Sequence, residues 1–152
     1  MATYSSAKRN TSGVFDGGNL AFARTVDFYL DFSSDVTMTT ATDTLNLATF
    51  PGGTVVLALD IEQTAVGTGT GTVVGRIGTT TMTATLVSTA AVGTRPATVP
   101  AAIPYVVPLA GEELNLLGAT ATRLDGKVKV TAVIVEANKT PTTPITVLRD
   151  AS

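Results

Sequence analysis

From Arg24 to Phe32 the chain alternates without a break: Val26, Phe28, Leu30 and Phe32 share one side, while Thr25, Asp27, Tyr29 and Asp31 share the other. A period of two is the signature of a strand with one buried face. Seven further strand-like segments follow, at about 43–48, 54–65, 72–78, 80–88, 104–109, 113–118 and 127–137. Turn-forming residues separate them: Pro51-Gly52-Gly53, the glycines from Gly67 to Gly71, Gly78, Gly93 to Pro96, Ala110-Gly111 and Asp125-Gly126. The last segment, Lys127 to Ala137, begins by alternating and ends as a continuous apolar run, which predicts a strand at the centre of a sheet. Its Asp-Gly lead-in is a strong turn signal.

No stretch holds an apolar period of 3.6, and β-branched residues, which lose side-chain freedom in helices, run throughout. The expected fold is therefore all-β. Eight strands with wide spacing between several of them predict an antiparallel, jelly-roll-like β-sandwich, with an up-and-down barrel as the competing topology. Residues 1–23 are polar and glycine-rich with isolated hydrophobics (Tyr4, Val14, Phe15, Phe22), which suits an N-terminal arm. Residues 24–137 form the sandwich domain, and 138–152, with Pro141 and Pro144 before a short apolar patch, form a C-terminal tail able to dock on a neighbour.

Composition narrows the function. Among 152 residues there is no cysteine, histidine or tryptophan. A Ser-His-Asp triad, a cysteine nucleophile, a zinc site of the usual ligands and haem or iron–sulfur ligation are thereby excluded. No cofactor and no enzymatic activity are expected. A net charge of -2 lacks the basic excess of a nucleic-acid binder. Only 14% of residues are charged, against about a quarter in an ordinary soluble domain, which predicts apolar surface that meets another protein. The most apolar run, Thr54 to Ile61, is broken by Asp60 and cannot span a membrane as a helix. No apolar stretch of signal-peptide type follows Lys8 and Arg9, so neither a secretory signal nor a membrane partner is expected.

The motifs that could carry chemistry are few. Val66 to Gly75 is glycine-rich like a phosphate loop, yet it lacks the dinucleotide spacing and the Lys-Ser/Thr ending, so it reads as a hairpin loop. Asp27 with Asp31, and Asp60 with Glu62, lie two or four residues apart on common strand faces, a spacing that carboxylate-pair catalysis permits, but alternation puts charges on the solvent face anyway, so they read as a solvated face. Asp31 with Asp35, or Glu112-Glu113 on a loop, are the candidate calcium ligands, without a spaced acidic cluster around them; no metal site is expected. Pro100 to Leu109 reads as a loop entering an edge strand, because proline is tolerated there.

The Val/Thr-rich β-domain, its Gly-Thr loops and its Gly-Lys-Val-Lys-Val final strand resemble the structural proteins of tailed-bacteriophage virions. The resemblance is to the head decoration, or cement, proteins. It is carried by Ala48 to Leu57, Val74-Gly-Arg-Ile-Gly78 and Leu124-Asp-Gly-Lys-Val-Lys-Val130. It implies a protein made in the host cytoplasm that sits on the capsid exterior, binds the major capsid protein and stabilises contacts between its subunits. It further implies a homo-oligomer, trimeric before dimeric, with no nucleic-acid, membrane or small-molecule partner. A tail or fibre module is the alternative within the class, and a carbohydrate-binding jelly roll built on Tyr29 or Tyr105 is the alternative outside it. Phe15, Phe22, Ile145, Val147 and Leu148 are the expected partner anchors.

Overall fold

The computed structural model describes residues 23–34, 38, 43–118 and 125–136, together with a strand at Thr146–Val147. The described residues form ten strands: β1 Ala23–Asp31, β2 Thr44–Phe50, β3 Thr54–Ala65, β4 Thr72–Ile77, β5 Thr80–Thr81, β6 Leu86–Val87, β7 Tyr105–Val106, β8 Glu112–Gly118, β9 Lys127–Glu136 and β10 Thr146–Val147. The sole helical element among the described residues is a 3-10 turn at Pro100–Ala102.

The strands build two antiparallel sheets. One runs β1-β9-β3-β7, and the other runs β10-β2-β8-β4-β5, with β6 also on β4. That order is what results when one long hairpin is rolled up on itself. Counting β5 and β6 as one interrupted strand, the first strand pairs with the last of the roll (β1 with β9), the second with the seventh (β2 with β8), the third with the sixth (β3 with β7) and the fourth with the fifth (β4 with β5 and β6). The pairings β9 with β3 and β8 with β4 then close each sheet. The expected jelly roll is confirmed over a simple meander, and β10 is an addition at the β2 edge.

The chain changes sheet at nearly every step, through connections as short as the three residues 51–53 between β2 and β3. The buried side chains come from the inward positions of both layers, among them Phe28 and Phe32, Phe50, Leu59 and Ile61, Leu114 and Leu116, and Ile134. The layers approach closely at Gly75 of β4. A Cβ there would lie 3.1 Å from Leu59 Cδ2 and 3.3 Å from Ile61 Cδ1, on the opposing sheet.

Three expectations are corrected. The predicted strand 80–88 is split, because the Thr83 hydroxyl accepts the Gly75 N–H at 2.9 Å and stands in for a ladder bond. Segment 104–109 shrinks to two residues, since Pro104 and Pro108 flank it without donors. Glu112 and Glu113 lie in β8, not on a loop. β9 does take the central place expected of it, between β1 and β3.

Candidate interaction surface

The solvent face of the four-stranded sheet divides into two halves. Register places Ala23, Val135, Val55 and Val106 side by side in one row across all four strands. The next row brings Thr25, Val133 and Ala58 together, with Leu57 extruded beside them where the β3 register shifts between Val56 and Ala58. Ala23, Thr25, Val133, Val135, Val55 and Val106 have the parity opposite to buried Phe28, Ile134, Val56 and Val107, and the register shift brings Ala58, two residues beyond Val56, to the same outward face. Leu57 and Val106 are 41% and 62% exposed. Leu109, at 95%, stands on the loop whose backbone packs against the Gly52 turn at the same end. An apolar band spanning a whole sheet costs solubility unless something covers it.

The other half is charged and internally neutralised. Thr131 Oγ1 donates to Asp27 Oδ1 at 2.9 Å, Lys129 Nζ lies 3.7 Å from Asp27 Oδ2, and Lys127 Nζ lies 3.4 Å from Asp31 Oδ2. Arg95, from the loop before β7, spans Asp60 at 3.2 Å and Glu62 at 3.1 Å. The Glu62 hydrogen bond, followed by the charges of Asp60 and Glu62, raises the Arg95 pKa. Both carboxylate pairs named from sequence are thus ion-paired on an open sheet face, as the solvated-face reading expects. Exposed pairs of this kind are worth at most about 1 kcal/mol each. Tyr29, 69% exposed, has Lys129 Nζ 5.5 Å from its ring centroid. Tyr105 is partly buried and its hydroxyl donates to Glu112, which raises its pKa. Among the described tyrosines, a sugar-stacking platform would have to rest on Tyr29.

The glycine-rich segment is neither a phosphate loop nor a hairpin, because β3 and β4 lie in different sheets. Its amides do gather an anion, and that anion is Asp125. Thr68 N–H approaches both carboxylate oxygens at 2.8 and 2.9 Å, Thr68 Oγ1 donates at 2.6 Å and Gly69 N–H at 2.7 Å. The Thr68 hydroxyl, then the Gly69 and Thr68 amides, hold the Asp125 carboxyl well below the usual carboxylate range. The Ser33 hydroxyl and amide, with Lys127, lower Asp31 to about 2. Both folded values lie below the unfolded one of about 3.9. The stability they contribute is therefore complete above that value and is lost as pH falls through the folded pKa, to about 2 for Asp31 and further for Asp125. The expected result is a urea midpoint that declines below about pH 4. Asp125→Asn should lie under the parent at neutral pH and converge on it as pH falls; parallel curves would sink the assignment.

Of the anchors expected from sequence, Phe15, Phe22, Ile145 and Leu148 lie outside the described residues, as does Asp35. Val147 lies in β10, opposite Ala48 of β2. The apolar band is absent from the sequence-based expectations, although a signal for it exists: the unbroken run Ala132-Val-Ile-Val135 makes both faces of β9 apolar at one end. Arg95 has no such signal, because its partners are more than thirty positions away in sequence. Among the described residues no cluster of three or more potential metal ligands occurs. No protein-family model matches the chain, and no curated protein matches it. Among solved structures, a chain of the cyanophage Pam1 capsid asymmetric unit aligns over 88% of this chain and 97% of its own, at 19% identity and a TM-score of 0.49, a degree of likeness that does not by itself assign a function.

Proposed function

We propose that the protein is a virion structural protein, a decoration or cement protein that binds the outer surface of a phage capsid and ties neighbouring major capsid subunits together. The observation that carries this reading is the apolar band across Ala23, Val135, Val55 and Val106, with Leu57 and Leu109 beside it. Burying such a band yields about 25 cal/mol per Å² before the losses of association. Repetition over a symmetric shell turns a modest contact into large collective stability. The jelly roll, shared by viral capsid and lectin domains, suits a rigid plug of this kind, and the sequence resemblance to head decoration proteins points the same way. Phe15, Phe22, Ile145, Val147 and Leu148 act as additional anchors, and the working unit is a homo-oligomer, a trimer before a dimer.

The neighbouring charges already satisfy one another, so attachment runs on apolar burial. Co-sedimentation of the purified protein with capsids lacking it tests this. Saturable binding that persists at 1 M salt, where the Debye length is roughly 3 Å, is expected. No binding, or binding that salt abolishes, would refute the proposal.

A further inference from the structure

Two Asp-Gly pairs occur in the chain, at Asp16-Gly17 and Asp125-Gly126. This dipeptide carries its own reactivity, because glycine has no side chain to keep its backbone nitrogen away from the carboxyl carbon of the preceding aspartate. The glycine nitrogen attacks Cγ of the protonated carboxyl. A C–N bond forms, the amide proton and the carboxyl hydroxyl leave as water, and a five-membered succinimide remains. Water then reopens the ring at either carbonyl. One opening restores aspartate; the other leaves isoaspartate, in which the main chain runs through Cβ and Cγ. The water lost is regained, so solvent is the sole co-reactant.

At Asp125 the fold opposes each requirement of this reaction. The carboxyl must be protonated and free to swing onto the Gly126 nitrogen. Instead it accepts Thr68 N–H at 2.8 and 2.9 Å, Thr68 Oγ1 at 2.6 Å and Gly69 N–H at 2.7 Å, with Ser88 Oγ at 3.3 Å. Donors to a carboxylate keep it ionised, and a carboxylate is a poor electrophile. The peptide is also walled in. Gly126 is buried, its carbonyl accepts Phe32 N–H at 3.0 Å, and a Cβ at Gly67 would collide with the Asp125 carboxylate and carbonyl.

We infer that Asp125-Gly126 is a modification site gated by the loop around Thr68 and Gly69: aspartate converts spontaneously to isoaspartate in molecules whose loop has lifted from Asp125, and not while the loop is seated. Local opening of this kind draws on a small part of the structure and does not require global unfolding. The product cannot return to its place. Isoaspartate carries its carboxylate directly on Cα, one methylene short of the Thr68 and Gly69 donors, and its main chain gains an atom against the Gly67 wall. The modification therefore records loop opening and leaves the loop released. It is independent of the capsid and oligomer readings.

The test follows isoaspartate at position 125 by peptide mapping of the full-length protein, incubated folded and in denaturing urea in the same mildly acidic buffer. The folded rate should be lower than the unfolded one by on the order of a hundredfold, as several hydrogen bonds to a charged group impose. Thr68→Ala removes one such donor and should raise the folded rate roughly tenfold, whereas Thr68→Ser keeps the hydroxyl and should match the parent. Should Thr68→Ala not fold, Ser88→Ala removes the hydroxyl that holds the Gly69 carbonyl and should raise the rate in the same direction. Gly53→Val is the control: at the opposite end of β3, with φ +86 and nothing within 4 Å of its Cβ, it adds strain without touching the loop and should leave the rate unchanged. Circular dichroism matched to the parent keeps unfolding from passing for gating. Equal folded and unfolded rates would overturn the inference, and so would an unfolded chain that forms no isoaspartate at position 125. A loop variant at the parent's rate, or Gly53→Val accelerating the reaction as much as the loop variant does, would overturn the gate as well.

Discussion

Gly126→Val should destabilise the domain by about 3 kcal/mol, from strain of about 1 to 3 kcal/mol at a left-handed backbone position plus a steric clash of similar size. The backbone at Gly126 has φ +89, and a Cβ there would lie 2.6 Å from the Ala65 carbonyl oxygen and 2.7 Å from the Gly67 nitrogen. These are backbone atoms of the segment that wraps the Asp125 carboxylate, so relief requires the loop and the start of β9 to separate. For a domain of about this size, that corresponds to a fall in Tm of roughly 10 to 20 °C. Gly93→Val is the control. Its φ of +88 is nearly the same, yet nothing lies within 4 Å of its Cβ, so only the strain remains, about 1 kcal/mol. Calorimetry of both variants decides the matter; equal losses would mean that the close approach at Gly126 is unimportant.

The second large effect concerns binding. Leu57→Asp combined with Val106→Asp places two carboxylates in the apolar band while touching no core position, since both residues are exposed. Each apolar side chain buried at an interface contributes about 1.5 to 3 kcal/mol, and a buried unpaired charge costs more. Capsid affinity should therefore fall by on the order of a hundredfold or more, at about 1.4 kcal/mol per factor of ten. Arg95→Ala, at the charged end, breaks two exposed ion pairs and should change affinity less than about fivefold. If Arg95→Ala proved as damaging as the double variant, the contact would lie on the charged half and the surface assignment would be wrong. Unchanged circular dichroism for both variants would show that binding alone is affected.

The two predictions differ in how much of their basis the sequence reveals. The Asp125-Gly126 turn is legible because its chemistry is local: glycine is the residue that takes a positive φ without penalty, and aspartate caps turns. That the same aspartate holds a loop some sixty positions away is not legible, and on local chemistry alone the glycine segment looks like a hairpin. The strand at 54–65 and its exposed Leu57 show the same division. The segment is plain from its apolar content, but the register shift that turns Leu57 outward depends on which residue of β9 stands opposite.

The order of residues along the chain thus dictates the local grammar. Alternation sets the strand in 24–32 and its buried face, β-branched content excludes helices, and glycine and proline place the breaks near where they occur. The absence of histidine and cysteine closes off much of catalysis on composition alone. Which strands pair, how the charges neutralise one another and which outward positions fall into line as an apolar band are settled only in the folded molecule. The reason is physical: period and turn preference act between near neighbours in the chain, whereas rows across a sheet join Ala23, Val55, Val106 and Val135 only after the roll has closed.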